Sequence, residues 1–374
     1  MEILKEKILV TKSFLPPFSE FSKEIEKIWE SRWLTNMGPL HEEFKKGLTQ
    51  CLKVKNTTLC SNGHLALEIA LKALELPKAG EVITTPFTFA STTHAIVNCG
   101  LKPVFCDIEM QTYNLDAEKI ESLITEKTVA IMPVHVFGNP CNVNKIEEIA
   151  KKYNLKVLYD AAHAFGVEIK DRGIGSFGDM SMFSLHATKV FNSIEGGALT
   201  YNNSDLQKKL RLYKNFGITG PETVEAVGLN CKMNEFQAAM GIVNLRYIDE
   251  QIQKRKDITN RYRTHLNSIE GISFIHDLED VKHNYSYFPI VIDEEKFGKT
   301  RDELFDELQN YNIFTRKYFY PLITDFDCYK EEYKNVELKN AKYISDRVLT
   351  LPMYGDLELE IVDYICEAIG KIGG

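Results

Sequence analysis

Cysteine is sparse and scattered. The 374 residues include eight, at positions 51, 60, 99, 106, 141, 231, 328 and 366, and no two form a Cys-x-x-Cys pair. Such spacing argues against a zinc centre and against a disulfide framework. The expectation is buried free thiols in a reducing cytoplasm, with no bound metal. Long apolar runs are missing as well: no stretch of about 18 apolar residues occurs, so no segment is expected to cross a membrane. The opening MEILKEKILV interrupts its few apolar positions with lysine and glutamate and lacks the apolar core of a signal peptide. Positive charge is in deficit, 45 Lys and Arg against 53 Asp and Glu, for a net charge of −8. Nucleic-acid binding needs a basic face to neutralise phosphates, and none is expected here. A local anion site stays open, because a few backbone amides suffice to build one. The Gly-x-x-x-x-Gly-Lys-Ser/Thr run of phosphate loops is absent; that reading and the dinucleotide-binding one are set aside.

What is present suits a large globular protein: 44% apolar and 26% charged residues. A chain of this length buries roughly three quarters of its unfolded surface. Residues 20–33 and 41–52 look helical. From Thr57 the pattern is a short apolar strand, a turn and an amphipathic helix, repeated. TTLC precedes SNGHLALEIALKAL, EVITT precedes TFASTTHAIVNC, and KPVFCDI precedes DAEKIESLI. VAIMPVHVF precedes NVNKIEEIAKKY, and KVLYD precedes AAHAFG. Strands alternating with helices predict an α/β fold, a mostly parallel sheet flanked by helices on both faces. SMFSL and GALTY follow without a helix between them, which predicts a mixed sheet. Residues 234–268 read as one long helical tract. Beyond it ISFIH and YSYFPIVI look like strands, and TRDELFDELQNY and LELEIVDYICEAIG like helices. The division expected is a large α/β domain over 1–250 and a smaller α+β domain over 251–374, with a leader of about 25 residues packed on the latter.

Ligands of open α/β sheets collect at the carboxyl ends of the strands, and the informative residues follow strands. Ser61-Asn62-Gly63-His64 opens a helix, offering free amides and the positive end of its dipole to a phosphate; the plain alternative is an N-cap. Asp160 ends an apolar strand, where a carboxylate is unfavourable without a cationic partner; it is either an N-cap or the partner of a protonated ring nitrogen. Lys189 sits in the polar loop FSLHATK ahead of Ile194-Glu195-Gly196-Gly197. It is either a surface charge or an amine placed to form an imine with an aldehyde. Together a phosphate cup, a carboxylate and a loop lysine are the parts needed to hold pyridoxal 5'-phosphate.

The segments SNGHLAL, EVITTPFTFASTTHAI, PVFCDI, YDAAHAFG, FSLHATKVFNSIEGG and GLNCKMNEFQAA resemble the DegT/DnrJ/EryC1/StrS sugar aminotransferases. YFYPL and LTLPMY extend the likeness over essentially the whole chain. The resemblance implies the aspartate aminotransferase-like fold (fold type I) and a pyridoxal-phosphate transaminase. Lys189 is implied as the lysine joined to the cofactor, and Asp160 as the partner of its ring nitrogen. His163 falls near the phenolic oxygen and Phe89 over the ring face, where a core phenylalanine is the alternative. Gly63, His64 and Ser184 match phosphate-binding positions, with His64 standing where threonine is commoner. Asn230, or Lys232 two residues on, is implied to reach a phosphate across a homodimer interface. Relatives that dehydrate sugars carry histidine in place of the lysine, so Lys189 implies transamination.

TKSFLPPFSEF, WESRWLTNMGP and HATKVFNSIEGG most resemble the branch that aminates the 4-keto carbon of a dTDP-linked 4-keto-6-deoxyglucose. That implies a nucleotide-linked keto-deoxysugar as acceptor, L-glutamate as donor, and a product used in surface polysaccharide. Arg32, Arg316 and Lys317 are candidates for the diphosphate. An enzyme acting at C3, a non-catalytic binding or regulatory protein on the same fold, and a pyridoxal-phosphate lyase or desulfurase are the rival readings.

Overall fold

Along the strand Lys156–Asp160 side chains alternate: Val157 and Tyr159 belong to one apolar cluster and Leu158 to another. A strand apolar on both faces has to be covered on both. The computed structural model describes residues 3–374 and meets that requirement with a seven-stranded sheet between two helical layers. Its strands are β1 (Asn56–Cys60), β2 (Glu81–Thr84), β3 (Lys102–Phe105), β4 (Thr128–Met132), β5 (Lys156–Asp160), β6 (Met180–Ser184) and β7 (Gly197–Tyr201). Their spatial order is β1-β7-β6-β5-β4-β2-β3. β7 alone runs against the others, pairing antiparallel with both β1 and β6. The mixed sheet expected from SMFSL and GALTY is this β6–β7 pair.

One layer holds the helices Pro39–Cys51, Val143–Tyr153 and Glu235–Leu245, which bury Phe44, Leu48, Ile146, Ile149, Ala238 and Ala239 against the sheet. The opposite layer holds Gly63–Ala73, Ala90–Asn98 and Leu206–Tyr213, burying Leu67, Ile69, Ile96 and Leu210. Beyond the sheet, Ile272–Phe274, Phe288–Ile292 and Val348–Leu351 form an antiparallel sheet of their own. It shares an apolar cluster with the helix Leu359–Gly373 and with Ile258, Tyr262 and Leu266. Near the start of the chain, Ile8–Leu9 pairs in parallel with Ile313–Phe314, and Val10 accepts a backbone hydrogen bond from Met353. Ile8 lies in the same C-terminal cluster.

Two local expectations are corrected. Ala161–Gly166 makes turns instead of a helix. Asp160 Oδ1 accepts the Ala162 N–H at 3.0 Å, drawing the backbone away from helical bonding, and Gly166 reverses the chain at φ +72°. The long tract divides into Glu235–Leu245 and Ile248–Leu266. At the break, Arg246 and Tyr247 reach Glu20, and Arg246 also reaches Glu24, on the helix Phe18–Ser31. The sequence does hold one Gly-x-Gly-x-x-Gly run, Gly173 to Gly178, but it encloses a three-residue 3₁₀ turn and leads into a strand, with no helix to bind a pyrophosphate. A Cβ at Gly173 would stand 2.0 Å from the Leu52 carbonyl oxygen, so that glycine serves close packing.

Candidate active site

The carboxyl ends of β1, β2, β5 and β6 lie at one edge of the sheet, and β7, running the other way, begins there. Asp160 closes β5 with only 4% of its surface exposed. Its Oδ2 accepts from the Thr92 hydroxyl at 2.8 Å and its Oδ1 from the Ala162 N–H at 3.0 Å. Thr92 is itself 2.9 Å from the Thr88 hydroxyl. Burial raises the Asp160 pKa, while the two hydrogen bonds and the Lys189 charge pull it back down. Among the described residues no cationic side chain makes an ion pair with it.

His163 is equally enclosed. Burial, and then the positive charge of Lys189, hold its pKa well below the usual histidine value, so its ring is neutral near pH 7. Nδ1 accepts the Phe137 N–H at 3.2 Å. A neutral imidazole that accepts at Nδ1 carries its proton on Nε2, which makes Nε2 the donor. Phe137 and Phe319 lie parallel to this ring, with centroids 6.5 and 5.9 Å away and interplanar angles of 11° and 3°. Tyr287 meets it edge-on at 4.9 Å.

Lys189 sits in the loop between β6 and β7, where Leu185 bonds Gly196 and Ser193 returns to Leu185. Its Nζ donates to the Tyr287 hydroxyl at 3.2 Å. The Tyr287 ring also meets His163, so the structure brings Lys189 and His163 to one tyrosine, and the Lys189 positive charge lowers the pKa of both His163 and Asp160.

Gly63 opens the helix Gly63–Ala73, behind Asn62, whose side chain caps the Leu65 N–H at 2.9 Å. The amides of Gly63 and His64 fall in the first turn, where no intrahelical acceptor exists. A Cβ built on Gly63 would lie 3.3 Å from Ser184 Cβ, so the helix start and the end of β6 abut. The His64 side chain is engaged by its own neighbours: Nδ1 is 2.9 Å from Ser91 Oγ and Nε2 is 3.2 Å from Glu68 Oε1. Phe89 is 64% exposed at the N-cap of the helix Ala90–Asn98, which excludes the core alternative for it.

Asn230 stands apart from this group. It is exposed, bridged to Asn215, and its Oδ1 accepts from Lys232 at 3.2 Å. Lys232 is further held by Asn215 at 2.8 Å and lies over the Phe216 ring. Of the diphosphate candidates, Lys317 is paired with Asp302 at 2.6 Å, whereas Arg32 and Arg316 are exposed. Sequence reasoning gave no role to Thr92, Phe137, Tyr287 or Phe319. Thr92 and Phe319 do lie within the segments TFASTTHAI and YFYPL, which carried the resemblance.

Chemically, the site offers an amine able to condense with an aldehyde, a buried carboxylate lacking a counter-charge, and free amides for an anion. Comparisons with known proteins bear on what uses it. The profile described as "DegT/DnrJ/EryC1/StrS aminotransferase family" matches residues 18–370. A "dTDP-4-amino-4,6-dideoxy-D-glucose transaminase" of Shigella dysenteriae is 44% identical over 369 residues, covering 99% of this chain and 100% of that protein. A protein of the same name from Escherichia coli is 44% identical over 373 residues, 98% of this chain and 99% of the other. Among solved structures, DesI in the presence of its TDP-sugar product superposes with a TM-score of 0.94 at 31% identity, over 99% of this chain and 94% of that one. Helicobacter pylori PseC, an aminotransferase involved in the biosynthesis of pseudoaminic acid, gives 0.92 at 27% identity over 98% and 99%.

Proposed function

The chain belongs to the DegT/DnrJ/EryC1/StrS aminotransferase family, and from that premise we propose that it moves the amino group of L-glutamate to the 4-keto carbon of dTDP-4-keto-6-deoxy-D-glucose. The products are 2-oxoglutarate and dTDP-4-amino-4,6-dideoxy-D-glucose, the latter a building block for surface polysaccharide such as O-antigen. The observation carrying this reading is the end-to-end 44% identity to two proteins named for that product.

The cofactor in this proposal is pyridoxal 5'-phosphate, and the residues present fit it. Asp160 is a buried carboxylate that a protonated ring nitrogen would complete. The amides of Gly63 and His64, with the adjoining Ser184, fit the phosphate. When bound, the cofactor supplies an electrophilic aldehyde and a ring that draws electrons from the carbon bearing nitrogen. Lys189 provides the amine that holds the aldehyde. Once released, it is the base that takes the α-proton of glutamate and later delivers a proton to the sugar carbon. Asp160 would keep the cofactor's ring nitrogen protonated, His163 would donate from Nε2 to its phenolic oxygen, and Phe89 would cover its ring.

The working unit in this proposal is a cytoplasmic homodimer in which Asn230 acts at the neighbouring site, with Lys232 the alternative. In support, Asn230 is exposed near a hairpin whose Ile218 and Val224 are 42% and 67% exposed, with Phe216 just before it 46% exposed. The test is a panel of nucleotide-linked keto sugars offered with glutamate, the products scored by mass and NMR. Amination at C4 of the dTDP-linked 4-keto-6-deoxyglucose is expected. Amination at C3, or turnover only with another nucleotide, contradicts the assignment.

A further inference from the structure

Tyr287 touches the reactive amine from a part of the chain the reaction scheme leaves unused. It directly precedes the strand Phe288–Ile292, whose Phe288, Ile290 and Ile292 are buried in the C-terminal apolar cluster. The phenol therefore projects from a fixed backbone. Its ring is boxed in by His163 at 4.9 Å and 66°, Phe137 at 5.8 Å and 59°, and Tyr318 at 5.9 Å and 88°. From that frame the hydroxyl accepts a hydrogen bond from Lys189 Nζ at 3.2 Å, and the amine stands 5.6 Å from the ring centroid. No other side-chain hydrogen bond to this amine occurs among the described residues.

A free lysine has four rotatable side-chain bonds, and an amine that must both hold an aldehyde and carry a proton gains from being restricted. A phenol suits both states of that amine, since it accepts from an ammonium and donates to a neutral nitrogen. We propose that Tyr287 is a positioning residue for Lys189, whose hydroxyl holds the amine at the point where it meets the cofactor aldehyde and the migrating proton. This rests on the reading of Lys189 given above.

The test is Tyr287→Phe, which keeps the ring that packs on His163 and Phe137 and removes only the hydroxyl. Three quantities are measured on variant and wild type. They are the rate at which cofactor-free protein captures pyridoxal 5'-phosphate, the single-turnover rate with glutamate and α-deuterated glutamate, and the affinity for pyridoxamine 5'-phosphate. The last ligand forms no bond to the lysine, so it reports on the integrity of the pocket alone. Expected are capture and proton transfer slowed by about tenfold or more, with a larger isotope effect, and pyridoxamine phosphate affinity within about twofold. Unchanged capture and transfer rates overturn the proposal. So does a parallel fall in pyridoxamine phosphate affinity, which would mark Tyr287 as packing. Wild-type protein that captures no aldehyde at Lys189 would instead refute the parent reading.

Discussion

Two hydrogen bonds and the Lys189 charge, with no ion pair, leave the Asp160 carboxylate less stable inside the protein than in water, and its raised pKa expresses this. The sign has a consequence for stability. A carboxyl whose folded pKa exceeds its unfolded value, about 3.9, binds its proton more tightly when folded. The cofactor-free protein therefore loses stability as pH rises from that unfolded value through the folded one. Asp160→Asn removes the ionisation and should remove the loss. Denaturant unfolding of the cofactor-free proteins should find the variant more stable by about 1–3 kcal/mol at pH 8, and the gap smaller at pH 5. A gap that does not change with pH contradicts the account of this carboxylate. In the sequence Asp160 and Lys189 point to one site only in combination with the helix start at Gly63, because singly an N-cap and a surface charge explain them equally well. Thr92 and Tyr287 were not legible, because their partners lie 68 and 98 residues away and nothing local marks them.

Among the elements, the start of β7 is tightly constrained. A Cβ at Gly197 would stand 2.4 Å from the Asn62 carbonyl oxygen and 2.8 Å from the Gly63 nitrogen, both backbone atoms. The second glycine of Glu195-Gly196-Gly197 thus lets an antiparallel strand lie against the start of the helix Gly63–Ala73, the phosphate cup of the proposed function. Gly197→Ala should destabilise the protein by about 1–3 kcal/mol and weaken pyridoxal phosphate retention, read from denaturation midpoints and equilibrium dialysis. Wild-type stability and retention would show that this close approach is not needed. The strand–helix alternation from Thr57 was legible because period-two apolar runs and amphipathic helices differ clearly. Ala161–Gly166 misled because Ala-Ala-His-Ala favours a helix locally, whereas the Asp160 side chain captures its backbone. The break at Arg246 and Tyr247 has no local mark in the sequence, and the partners of their side chains, Glu20 and Glu24, lie more than 200 residues away.

Over the whole molecule, the site joins parts of the chain that no local pattern connects. The cup and the carboxylate come from the large sheet, while Tyr287 and Phe319 come from the C-terminal third. The segment after Phe319 docks on the loop following β2 through the Ile323 N–H and the Pro86 carbonyl. The sequence marked both halves, the first by its alternating pattern and the second by YFYPL. It could not show that an aromatic box assembles where they meet, because that depends on packing between elements. What all these parts share is a single nitrogen. Borohydride treatment of the purified protein carrying pyridoxal phosphate, followed by digestion and peptide mass mapping, examines that nitrogen directly. The account predicts a phosphopyridoxyl group on Lys189 and on no other residue; a label at another lysine, or no label at all, would contradict it.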